Sequence, residues 1–125
     1  MTPVIWQRIE GGLIFVAAIL GVTVFSAMAD AGPWWLLLIL FFAPDLGFLG
    51  YLGGPRMGAA VYNALHLYGA GLMLAVVGLA VFGVPIWTVA GLLWMGHVGF
   101  DRMLGYGLKQ VTGFSDTHLG RIGRG

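Results

Sequence analysis

The sequence contains no cysteine. That excludes disulfides, thiolate nucleophiles and cysteine-ligated zinc. Charge is scarce as well: 9% of residues are Asp, Glu, Lys or Arg, against about 25% in a soluble domain. Water is therefore not the main solvent of this chain. No basic run or patch exists, so the composition offers nothing to nucleic acid. No repeat, linker or low-complexity segment is visible. What the chain does have is apolar surface, 59% of its 125 residues, together with 22 glycines. In lipid, such small residues let helix backbones approach closely.

The apolar residues fall into four runs, at about 11–29, 34–51, 57–82 and 86–108. A bilayer core of roughly 30 Å needs about 20 helical residues, and each run fits within tilt and end effects. The breaks carry turn chemistry: Asp30-Ala31-Gly32-Pro33, Tyr51 to Arg56 through Gly53-Gly54-Pro55, and Phe82-Gly83-Val84-Pro85. Pro–Gly clusters stop helices, and connections this short make successive helices antiparallel. The expectation is an all-α membrane domain over 1–111, a bundle of four antiparallel transmembrane helices, followed by a short polar tail at 112–125. That tail is either flexible or a cap folded on one end, and Ser115 or Asp116 suits the N-cap of a short helix in it.

Orientation follows from the basic residues. In a four-pass arrangement Arg8, Arg56, Arg102, Lys109, Arg121 and Arg124 share one side, and the other side holds only Asp30. Both termini are then cytoplasmic, in a bacterial inner membrane. Trp34, Trp35 and Trp87 lie at the outer interface, and Trp6, Tyr51 and Tyr106 at the inner one. Ala27-Met28-Ala29 resembles a signal-peptidase site, but Glu10 at the entrance of a long apolar stretch argues for a retained first helix.

Ionisable groups inside a membrane are costly and require an explanation. Folding the runs about their turns brings Asp45, Asn63, His66, His97 and Asp101 into the cytoplasmic half, with Tyr62 nearby. His97 and Asp101 share a helix face at i and i+4. Pro44 interrupts the hydrogen-bond ladder beside Asp45 and frees backbone carbonyls there. The residues suit several chemistries. His66, His97, Asp101 and Asp45 are the right types for a divalent metal. Two histidines on neighbouring helices also suit axial haem ligation. Asp and His chains serve as proton relays. Arg56 and Arg102 offer contacts to a lipid headgroup or another anion. Structural roles fit the same residues: an Asp101–Arg102 interfacial pair, a His97–Asp101 hydrogen bond, His66 and Asn63 as interhelical glue, and Glu10 at a helix start. No HExxH or GxSxG motif is present.

The stretches Pro44-Asp45-Leu46-Gly47, Leu49 to Gly58 through Gly-Gly-Pro-Arg, Tyr62-Asn63 with His66, Gly96-His97-Val98-Gly99-Phe100-Asp101-Arg102, Gly105 to Lys109, and Gly113-Phe114 with Asp116 to Arg121 together resemble the bacterial membrane proteins known as domain of unknown function 4260. The resemblance covers nearly the whole chain. It implies a small multi-pass membrane protein and carries no reaction with it. Length and the missing catalytic signatures favour a non-catalytic membrane component, either a homo-oligomer or an accessory subunit of a larger membrane complex. A membrane-embedded enzyme or a metal- or haem-binding protein comes next, and a proton- or ion-coupled transporter after it.

Overall fold

The computed structural model describes residues 1–28 and 30–123. Ala29, at the end of the first apolar run, and Arg124, the last of the basic residues, lie outside the described residues. The protein is mostly helical, with five α-helices, two to three candidate membrane spans and a small C-terminal three-stranded sheet. Helix α1 is Pro3–Met28 and α2 is Trp34–Phe42, which continues as a 3-10 segment, Ala43–Gly53. Next come α3, Pro55–Leu65, and α4, Tyr68–Val77, extended by a π-helical turn at Gly78–Phe82. Helix α5, Pro85–Leu104, leads into the strands β1, Lys109–Gln110, β2, Gly113–Thr117, and β3, Gly120–Arg121. The sheet is antiparallel in the order β1-β2-β3.

Local chemistry explains these limits. Pro3 opens α1, where its missing N–H costs nothing, and the Thr2 hydroxyl accepts the Ile5 N–H at 3.4 Å. Pro85 opens α5 in the same way. Gly105 closes it with φ +94°, a left-handed conformation that residues with a Cβ rarely adopt. The second apolar run is not one α-helix, because Pro44 lacks the N–H that the α ladder requires and the chain tightens to 3-10 geometry. An 11-residue 3-10 run is uncommon, since most stop after about 3–4 residues. The third run is also divided. It bends by 48° between α3 and α4, and side chains take up the carbonyls freed there. His66 Nδ1 lies 2.9 Å from the Tyr62 carbonyl, Trp94 Nε1 donates to Leu65 O at 2.7 Å, and Arg102 Nη2 donates to His66 O at 3.1 Å.

Helix α5 lies at the centre, packed mainly against α1 and α4, while α3 packs on the 3-10 segment. Glycine makes this possible. A Cβ on Gly99 would lie 2.6 Å from Gly11 O of α1, and one on Gly91 would lie 2.5 Å from Gly71 O of α4. Outside this core, α1, α2 and α4 present Leu13, Leu20, Trp34, Ile39, Leu72 and Met73 outward. Such a surface is favourable in lipid and costly in water. By length and composition, Pro3–Met28 and the combined Trp34–Gly53 segment suffice to cross a membrane, and the bent α3–α4 pair is a third candidate. Helix α5 falls outside that group because polar residues, including His97, Asp101 and Arg102, lower its mean hydropathy; these three are buried.

The C-terminal segment forms a sheet and not a capped helix. Asp116 lies within β2 and accepts a hydrogen bond from the Thr112 hydroxyl at 2.8 Å. Phe114 packs at a tilt against Phe48 and edge-on against Tyr51 of the 3-10 segment, with ring centroids 5.4 and 5.3 Å apart. The sheet therefore closes the end of the bundle that also holds Arg8 and the N-terminus.

Candidate metal centre

Four side chains from three separate elements meet at one point. Asp45 comes from the first turn of the 3-10 segment, His66 from the break after α3, and His97 and Asp101 from successive turns of α5. His97 Nε2 lies 3.2 Å from His66 Nε2 and 3.2 Å from Asp45 Oδ1. His66 Nε2 lies 3.5 Å from Asp45 Oδ1 and 3.4 Å from Asp101 Oδ2, and His97 Nε2 lies 3.7 Å from Asp101 Oδ2. All four donor atoms fall within 4.8 Å of one another. Ligands at about 2.0–2.2 Å from a tetrahedral ion are separated by roughly 3.3–3.6 Å. Five of the six pairs are therefore near the edge length of a coordination tetrahedron before any ion is considered.

The surroundings hold these donors in place. His66 is fully buried, and its Nδ1 can donate only to the Tyr62 carbonyl. That fixes the neutral tautomer with a free Nε2 lone pair aimed into the cluster, the arrangement a metal-binding imidazole requires. The His66 ring also stacks on Tyr62, with centroids 3.7 Å apart and planes 13° from parallel. The Tyr62 hydroxyl reaches onward and donates to Asp101 Oδ2 at 3.2 Å. His97 packs edge-on against Phe41 and Phe42, and its Nδ1 is buried with no partner among the described residues. The Asp101 side chain is 12% exposed and that of Asp45 36%, so the cluster opens on the Asp45 side.

The other residues singled out by sequence have different places. Asn63 does not join the donors. It clamps the tail, its Nδ2 donating to Lys109 O at 2.8 Å while its Oδ1 accepts the Lys109 N–H at 2.6 Å. Arg102 is buried and spends its guanidinium on the carbonyls of Tyr106 and His66, bracing the α3–α4 break. It is thus a positioning group for His66 and not a partner of Asp101. Arg56 is exposed on α3, away from the cluster. Glu10, with Arg102 and His118, borders a second cavity of about 210 Å³ between α1 and the tail. Leu108 N–H donates to His118 Nδ1 at 2.8 Å, and burial lowers that imidazole's pKa.

Sequence reasoning missed Lys109, Trp94 and Phe114. Lys109 is the only lysine in the chain and is 5% exposed. Its ammonium lies 4.0 Å from the Phe114 ring centroid and 5.1 Å from that of Tyr62. Burial pushes its pKa down. A solitary lysine just past the end of an apolar run was a signal that could have been weighed.

The fold and site define a class: a small, mostly helical protein with candidate membrane spans and a buried pair of histidines facing a pair of aspartates. The chain belongs to the family described as domain of unknown function DUF4260, whose model matches residues 4–122. No curated protein and no solved structure matches it.

Proposed function

We propose that this protein is a four-pass membrane protein that binds one divalent transition-metal ion through His66, His97, Asp45 and Asp101. The observation that carries this reading is the near-tetrahedral set of four donor atoms, with the His66 tautomer fixed by the Tyr62 carbonyl. Two imidazoles and two carboxylates suit zinc, iron, manganese or cobalt. The set is too rich in nitrogen for calcium or magnesium and lacks the sulfur that favours copper(I). Haem is a poor fit, because imidazole nitrogens 3.2 Å apart leave no room for an iron and its porphyrin between them. When bound, such an ion supplies Lewis acidity. The chain's part is to hold the His66 imidazole through the Tyr62 carbonyl and to bury both histidines away from water.

The four passes are α1, α2 with the 3-10 segment, the bent α3–α4 pair, and α5. The gathering of the basic residues on the side of the termini supports a cytoplasmic location for that end, in a bacterial inner membrane. The metal reading takes precedence over a purely structural membrane component, because packing alone does not call for two carboxylates and two imidazoles within one coordination sphere. The proton-transport reading draws on the same groups but finds no continuation through the apolar half of the bundle.

Elemental analysis of protein purified in detergent without chelators tests the proposal. The expected result is close to one zinc, iron, manganese or cobalt per chain, falling below a tenth in a His66→Ala/His97→Ala variant that still elutes as folded protein. Wild-type protein that carries no ion and takes up none at micromolar concentration would overturn it.

A further inference from the structure

Beside the Asp45–His66–His97–Asp101 cluster lies a cavity of about 320 Å³, lined in part by Asp45, Asp101 and Lys109. The rest of its lining is apolar or aromatic and includes Phe48, Tyr106 and Phe114. A volume of this order is at the lower end for small-molecule sites.

The Lys109 ammonium has no ion pair or hydrogen bond among the described residues. The faces of Phe114 and Tyr62 compensate its charge only in part. A divalent ion would be balanced by Asp45 and Asp101, which leaves the Lys109 ammonium with no counter-charge among the described residues. Buried unpaired charge is expensive, so a negative group belongs here. Lys109, the carboxylates Asp45 and Asp101, and aromatic side chains all line the same cavity.

We infer that this cavity binds a small organic carboxylate with an apolar body, its carboxylate held by the Lys109 ammonium next to the metal centre. The inference rests on the metal-binding reading. The two aspartates would repel an anion from the metal-free protein, so binding depends on the ion. The aromatic walls favour a carbon skeleton over a bare inorganic anion, which would leave most of the cavity unfilled.

Calorimetry on detergent-purified full-length protein tests this with benzoate, benzyl alcohol and inorganic phosphate, each with and without zinc. Metal content is measured on the same samples. The expected order has benzoate binding the zinc-loaded protein at least tenfold more tightly than benzyl alcohol or phosphate, and more weakly by a similar factor when zinc is removed. Lys109→Met keeps the aliphatic stem and is expected to hold zinc while losing that tenfold preference. Lys109→Arg is expected to keep benzoate binding within a few fold. Should Lys109→Met fail to fold, the benzoate–benzyl alcohol comparison on wild type still decides the matter. Zinc-loaded wild type that does not distinguish benzoate from benzyl alcohol, or that prefers phosphate, overturns this inference and leaves the metal centre standing. Protein that holds no zinc overturns both.

Discussion

Along α5 the two halves of the bundle can be compared on a single helix. Toward its N-terminus it buries Val89, Ala90 and Leu93, and the core there is completed by Val22 and Ala31. Two turns further on it buries His97, Asp101 and Arg102 among Tyr62, His66 and Lys109. The first half is held by apolar packing and by glycines that bring backbones into contact. The second is held by directional bonds, among them Tyr62 to Asp101, Arg102 to the His66 carbonyl and Asn63 to the Lys109 backbone. The two halves of one helix are thus held by different physics, volume in the first and direction in the second.

Changes at the polar end are expected to have the largest effects. His97→Ala removes one donor of four and opens the wall next to Phe41. Metal stoichiometry is expected to fall from near one to below a tenth, measured by elemental analysis, and the rise in thermal midpoint on adding zinc should vanish. If His97→Ala binds zinc like wild type, the polar half is packing too and the comparison collapses. Lower pH acts in the same direction. Protons compete with the ion for both imidazoles and both carboxylates, so zinc affinity should fall as pH falls, and protons should be released when zinc binds.

The apolar end can be broken only by volume. Gly91→Leu forces a side chain into Ala75 and the Gly71 carbonyl. Overpacking of this kind costs about 1–3 kcal/mol or more, so the unfolding midpoint in detergent should drop while any properly folded fraction keeps one metal per chain. Loss of metal from that folded fraction would show that the two halves are not independent.

Tyr62→Phe is a finer probe. It deletes only the hydroxyl that donates to Asp101 Oδ2. Removing such an outer partner typically costs about 10–100-fold in metal affinity, and here the stability should scarcely change. Asn63→Ala deletes both hydrogen bonds that hold Lys109. It is expected to speed amide hydrogen exchange across 109–121 while leaving α1 and α5 protected. Smallest of all, Leu72→Ala on the exposed side of α4 should shift stability by within about 0.5 kcal/mol, as surface changes usually do.

Much of this division was legible in the sequence, for physical reasons. A carboxylate or imidazole in an apolar run is costly wherever the chain goes, so Asp45, His66, His97 and Asp101 could be singled out from burial cost alone. Turn positions then brought them to one depth. Two features of the fold were not legible. A long apolar run reads as an uninterrupted helix, yet the second tightens at Pro44 and the third breaks at His66. The break at His66 depends on distant partners, Trp94 and Arg102, whose positions no local pattern reveals. The sheet at 109–121 was equally hidden: its strands are two to five residues long, and the reciprocal Asn63–Lys109 bonds that anchor it span 46 positions. Asn63 illustrates the limit well, since its residue type signalled a polar role but not which one.

X-ray absorption at the edge of the bound metal is the most direct test of the central claim. The expected spectrum has about four nitrogen or oxygen ligands at roughly 2.0–2.2 Å, with the multiple-scattering signature of two imidazoles. A bound ion with no imidazole signature, or one whose spectrum is unchanged in His66→Ala and His97→Ala, would contradict the account.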